Sequence, residues 1–163
     1  MTALLLFVLS SQMKSRQLQL HDPAVILMVD DNEHGLIARK NVLKQEGYAS
    51  ITATSAEAGL ELLHTHHFDL VVTDYKMGGM DGIAFIAHLR QRSPGTPVIL
   101  LSGFVEPLGL DERSTGADAV LSKCATEATS LVRTVHRLLT RRPMRKPAKK
   151  ETRGETVVVR SVG

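Results

Sequence analysis

The stretch LVVTDYKMGGMDG, residues 70–82, constrains this chain most. Leu70, Val71 and Val72 form a short apolar run that ends in the carboxylate Asp74 and a loop carrying Gly78, Gly79 and Gly82. A buried parallel strand reaching the carboxyl edge of its sheet reads this way. Three more apolar runs end in polar residues: AVILMVDDN (24–32), TPVILLSGF (96–104) and GADAVLSKC (116–124). If these strands are parallel, their ends bring Asp30, Asp31, Asp74, Ser102 and Lys123 to one spot. In an open α/β sheet, that edge is where ligands bind.

Helical signals fill the spaces between the runs. Asp31 or Asn32 can cap a first helix running to about Glu46, where Gly47 offers a left-handed stop. A short strand over Ser50–Ala53 follows. Thr54 and Glu57 read as a capping box for a helix through about His64 with Ala58 and Leu62 inward. Asp81 and Gly82 open a third helix in which Ile83, Ile86 and Leu89 share a face, and PGTP (94–97) leads into a strand over Val98–Leu101. The fourth helix is poorly supported, because Pro107 and Gly109 both disfavour a helix interior. A last strand, Ala119–Leu121, precedes a helix from about Thr126 to Leu139 that buries Leu131, Val135 and Leu138. Five βα units predict a doubly wound α/β domain over residues 25–139.

Charge separates that domain from its flanks. Residues 25–139 hold ten basic and fourteen acidic side chains, whereas residues 140–163 hold eight basic and two acidic ones. The net charge of +3 therefore describes the C-terminal tail and not the domain. The 24-residue N-terminal extension opens with TALLLFVL (2–9), which is short of the ~20 residues of a membrane span. It also lacks the basic start and cleavage site of a signal peptide. An extension outside the fold is the expectation, with a start at Met13 as an alternative. With Cys124 alone there is no disulfide framework, and a cytoplasmic location is consistent with that. The scarcity of aromatic residues argues against base-stacking surfaces.

In their order and loop context, the acidic pair Asp30–Asp31, Asp74 before its glycine-rich MDG loop, Ser102–Gly103 and Lys123 resemble the receiver domain of two-component response regulators. The resemblance implies a flavodoxin-like (βα)5 parallel sheet with strand order 2-1-3-4-5, the order that the family shares with flavodoxin. It implies that Asp74 is the phosphoacceptor, with Lys123 pairing one phosphoryl oxygen and the Ser102 hydroxyl donating to another. Three carboxylates in one cleft repel each other unless a cation is present. The implied cofactor is Mg2+, held by Asp31, Asp74 and the backbone carbonyl of Lys76, with Asp30 holding a water beside it.

Each residue alone has a blander reading. An Asp pair after a strand is often a helix cap, a strand-terminal Lys is usually solvated, and Ser-Gly is usually a turn. Convergence of all of them at one edge favours the chemical reading. His64, His66 and His67 lie together near a helix end, but no second ligand cluster follows, so zinc is disfavoured.

The function implied is that of a single-domain response regulator rather than an enzyme. It accepts a phosphoryl group from a sensor histidine kinase or a histidine phosphotransfer protein, and only self-phosphorylation and dephosphorylation are assisted by the metal. Output passes by contact with a downstream protein, since the residues after Leu139 are too few for a DNA-binding domain; homodimerisation stays open. The alternative is a pseudo-receiver that binds protein without phosphorylation. A hydrolase of the haloacid-dehalogenase type is disfavoured, because Asp74 is followed by Tyr75 and Lys76 rather than by the DxD of that class. Three departures from the family pattern stand out. Gly78 and Cys124 replace prolines, the second of which leaves the geometry of the Lys123–Cys124 peptide open, and Val120 replaces the aromatic switch residue. Without a ring to swing at Val120, activation is expected in residues 102–115, through Phe104 or the weak fourth helix.

Overall fold

The computed structural model describes residues 22–103 and 105–140. Five strands, β1 (Val25–Val29), β2 (Ala49–Ala53), β3 (Leu70–Asp74), β4 (Val98–Ser102) and β5 (Ala119–Ser122), form one parallel sheet in the order β2-β1-β3-β4-β5. The long helices between and after them are α1 (Glu33–Gln45), α2 (Ala56–Thr65), α3 (Gly82–Arg92) and α6 (Glu127–Thr140); two single-turn helices, α4 (Val105–Leu108) and α5 (Glu112–Thr115), lie between β4 and β5. This is the flavodoxin-like α/β arrangement expected from the sequence. The N-terminal extension before Asp22, Phe104 and the tail from Arg141 fall outside the described residues.

Strand alternation sorts the core into two layers. Leu27, Val29, Val71, Val98 and Leu100 pack with Ala56 of α2 and with Phe85, Ile86 and Leu89 of α3. Ile26, Met28, Leu70, Val72, Ile99 and Leu101 pack with Leu36 and Leu43 of α1 and with Leu131 and Val135 of α6. Every residue of β3 and β4 is buried, so the two central strands fix where Asp74 and Ser102 emerge.

The caps refine the expected boundaries. Asn32 caps α1, its side chain accepting from the Gly35 amide at 3.1 Å, and Gly47 takes the left-handed conformation just past the helix with φ +85°. Ser55, not Thr54, caps α2 by accepting from the Ala58 amide. The helix thus starts one residue later than a capping box over Thr54 and Glu57 predicts. Its buried positions are accordingly Ala56 and Gly59, while Ala58 is exposed and Leu62 half-buried. Asp81 caps α3 as expected, and Phe85 joins Ile86 and Leu89 on the buried face while Ile83 is half-buried.

The weak fourth helix resolves into two turns with a physical cause. Pro107 sits within the first turn of α4, where the absence of its N–H is tolerated. Gly109, at φ +60°, then ends that turn. Asp111 starts α5 with a capping box to Ser114. Among residues 105–116, only Thr115 is buried. Neither turn is anchored by an apolar face of its own.

Candidate functional site

The carboxyl ends of β1, β3 and β5 meet as the apolar runs predicted. One carboxylate oxygen each from Asp30, Asp31 and Asp74 lies within 4.8 Å of the others. Asp30 and Asp74 are 2% and 7% exposed, whereas Asp31 is open to solvent. Lys123 lies between the two buried carboxylates, with its Nζ 2.9 Å from Asp30 Oδ2 and 3.0 Å from Asp74 Oδ1. The backbone brings it there: β4 and β5 pair Ser102 with Ser122, and the Lys123 amide donates to the Ser102 carbonyl at 2.9 Å. Ser102 itself is buried at the end of β4, one residue past the Leu101 that pairs with Asp74.

The two oxygens of Asp74 differ. Oδ1 accepts from the Tyr75 amide at 2.8 Å as well as from Lys123. Among the described residues no fully buried side-chain oxygen lacks a partner, so Oδ2, which takes neither bond, keeps some contact with solvent. Burial pushes the Asp74 carboxyl above the usual carboxylate range; Lys123 holds it back by hydrogen bond and charge, and Asp30 adds to the rise. A carboxylate in that state gains from an added cation. Hard carboxylate oxygens clustered at this spacing suit magnesium, and the fit rests on the donors themselves.

The loop after β3 is tied to the same cluster. Asp31 Oδ2 accepts from the Gly78 amide at 3.2 Å, and Glu57 Oε1 accepts from the Met80 amide at 3.4 Å. Lys76 is exposed at the start of this loop. Gly82 closes it with its amide donating to the Tyr75 carbonyl at 2.8 Å. A Cβ at Gly82 would fall 2.2 Å from the Asp74 carbonyl oxygen, so glycine is required for the backbone to pass there.

Two residues that the sequence reading overlooked complete the pocket. Arg39 Nη1 lies 2.8 Å from Asp30 Oδ2, and its Nε lies 2.5 Å from Glu127 Oε1 at the start of α6. Burial works against the guanidinium charge, but Glu127 and then Asp30 outweigh it and hold the pKa above its ordinary value. The signal was present in the spacing. Arg39 falls three residues after Leu36 and four before Leu43, both buried, so a charged side chain stands in the apolar stripe of its helix.

Of the departures from the family pattern, Val120 is half-buried against the α2/α3 core layer. The Lys123–Cys124 peptide is trans, as are all described peptides. His64, His66 and His67 are exposed and away from the acidic pocket; the metal-competent cluster found among the described residues is the aspartate trio.

Residues 26–136 match the response regulator receiver domain. The chain belongs to this family. Its receiver is 41% identical over 83 residues to the transcriptional regulatory protein GlrR of Escherichia coli, a match that covers 50% of this chain and 18% of that protein. It is 34% identical over 106 residues to the virulence sensor protein BvgS of Bordetella bronchiseptica, covering 60% of this chain and 9% of that one. The chain thus spans less than a fifth of the length of these curated relatives. Among solved structures, the chemotaxis response regulator CheY4 of Vibrio cholerae is similar with TM-score 0.66 and 28% identity, over 72% of this chain and 99% of that one. The response regulator TrrA of Thermotoga maritima, solved in complex with Mg(2+)-BeF, is similar with TM-score 0.65 and 29% identity, over 71% and 99%. Receivers are phosphoacceptor signalling domains that bind Mg2+ at an acidic pocket and work with sensor kinases or phosphotransfer proteins. Among the described residues, no helix is long and apolar enough to cross a membrane.

Proposed function

We propose that residues 25–139 form a receiver that takes a phosphoryl group onto Asp74 from a histidine kinase or a histidine phosphotransfer protein, and that it passes the signal on by protein contact as a single-domain regulator. The observation that carries this reading is the Lys123 ammonium shared between Asp74 and Asp30 inside a trio of carboxylates. The similarity to CheY4, itself a receiver-sized chain covered over 99%, supports output by contact.

Asp74 Oδ2, which neither Lys123 nor the Tyr75 amide engages, attacks phosphorus. The new P–O bond forms as the P–N bond to the donor imidazole breaks, and the departing electron pair stays on the imidazole nitrogen, which takes up a proton. Lys123 then exchanges its bond to Asp74 for one to a phosphoryl oxygen, and the Ser102 hydroxyl donates to another. Magnesium, when bound by Asp31, Asp74 and the Lys76 carbonyl with Asp30 beside it, supplies charge neutralisation for the phosphoryl oxygens. The protein's own share is position: β3 holds the nucleophile while β4 and β5 hold the two donors.

Incubation with acetyl phosphate and magnesium is expected to add one phosphoryl mass to the intact protein, and Asp74→Asn to abolish the addition. Labelling that persists in this variant overturns the assignment. A wild-type protein that stays unlabelled favours the second reading, a pseudo-receiver that binds partners without phosphorylation; Val120 in place of the aromatic switch is the observation on its side.

A further inference from the structure

A largely enclosed guanidinium needs partners, because removing its charge from water is costly unless the charge is paired. Arg39, 11% exposed in its side chain, is paired at both ends: Nη1 with Asp30 Oδ2 and Nε with Glu127 Oε1. Space for it is built in one turn earlier. A Cβ at Gly35 would come 2.9 Å from Arg39 Nη1, so a larger residue there would displace the guanidinium.

The pairing changes what Asp30 can offer a cation. Its Oδ1 accepts from the Asn32 amide at 2.9 Å, and its Oδ2 already receives both Lys123 and Arg39. The aspartate trio therefore has two fixed positive charges against it, and the second is tempered by Glu127. We infer that Arg39 is a positioning residue that keeps Asp30 turned toward the protein and restrains divalent-cation binding at the aspartate trio, with Glu127 setting the strength of that restraint. The inference rests on the function proposed above. It gives Arg39 a further consequence: when Lys123 leaves for a phosphoryl oxygen, Asp30 keeps a counter-ion and is not left as an uncompensated buried charge.

The sign of the effects separates this role from a structural clamp. In Arg39→Gln the fixed positive charge is gone, and Mg2+ affinity, measured by titration calorimetry on the full chain at constant ionic strength, should tighten by about three- to tenfold. In Glu127→Gln the undivided charge of Arg39 falls on Asp30, and affinity should weaken by about two- to fivefold. Arg39→Lys keeps the charge and should stay within about twofold of the wild type. In the double variant, Glu127→Gln should add little, since Glu127 acts through Arg39.

Weakened binding in both single variants, as for a clamp whose loss loosens the pocket, overturns the inference, and so does unchanged binding in either. A Glu127 effect that persists in full without Arg39 overturns the part assigned to Glu127. Circular dichroism reports whether each variant folds. Should Arg39→Gln not fold, Glu127→Gln and Arg39→Lys still decide, because an unchanged affinity in the first or a large shift in the second is incompatible with the role. A wild-type protein that binds no Mg2+ overturns the proposed function itself, whereas wild-type binding that ignores Arg39 overturns this inference alone.

Discussion

Two regions flank β3 and are built in opposite ways. On one side, the ends of β1 and β3 are buried and cross-linked by charge: Asp30 bonds to Lys123, Arg39 and the Asn32 amide, and the loop after β3 is tied to Asp31 and Glu57. On the other side, the segment from Val105 to Gly116 makes two single turns, leaves Leu108 51% exposed and buries only Thr115. Chemistry needs fixed distances, and fixed distances come from buried strands and paired charges. Transmission needs an element that moves at little cost, and few buried apolar contacts provide one.

Glycines break this comparison most sharply. Gly82→Ala puts a methyl group 2.2 Å from the Asp74 carbonyl oxygen and should cost roughly 2–4 kcal/mol or prevent folding. Gly103→Ala meets no atom within 4 Å and should stay within about 0.5 kcal/mol of the wild type. Urea denaturation of both checks the contrast, and equal costs would show that the second region is packed as tightly as the first.

The pinned side should also govern the metal. Asp31→Ala removes one oxygen from the trio and should weaken Mg2+ binding by about tenfold or more, whereas Asp22→Ala, before the first strand, should change nothing. Calorimetric affinities that are equal in Asp31→Ala and the wild type would remove Asp31 from the site.

On the loose side, beryllofluoride binding should change amide hydrogen exchange mainly in residues 102–115. Val120, a branched aliphatic side chain in the α2/α3 core layer, changes little buried area when it turns. A dominant change at Val120 with a silent 102–115 segment would reverse the proposed division of labour.

The smallest expected effect is on stability against pH. The folded-state pKa of Asp74 is raised, first by burial. The folded protein therefore holds that proton more tightly than the unfolded chain does. This contribution is complete below the unfolded value, ~3.9, and is lost as pH rises through the folded value. At neutral pH and without Mg2+, ionised Asp74 is thus a liability, and Asp74→Asn should raise Tm. The gain should shrink toward zero in acid; a gain that grows as pH falls would contradict the assigned burial effect.

The fold was legible because its signals are local. Four apolar runs with polar ends, Asn32, Asp81 and Gly47 at helix boundaries, and a breaker pair at Pro107 and Gly109 each act over a few residues. The α2 start was missed by one residue because Thr54 and Ser55 are both good caps, and only the path of the chain out of β2 selects between them. That slip turned Ala58 outward and put Gly59 into the core in its place.

By itself the sequence determined that Asp30, Asp31, Asp74, Ser102 and Lys123 would gather at one sheet edge, because parallel strands must deliver their last residues to the same side. Tertiary structure alone decided how their charges are shared. Lys123 is 93 residues from Asp30, and Arg39 is 88 from Glu127; such pairs form or fail over a few ångströms set by how α1 and α6 pack on the sheet. The same holds for Gly82 against the Asp74 carbonyl, where the loop's closure, and not its composition, makes glycine necessary.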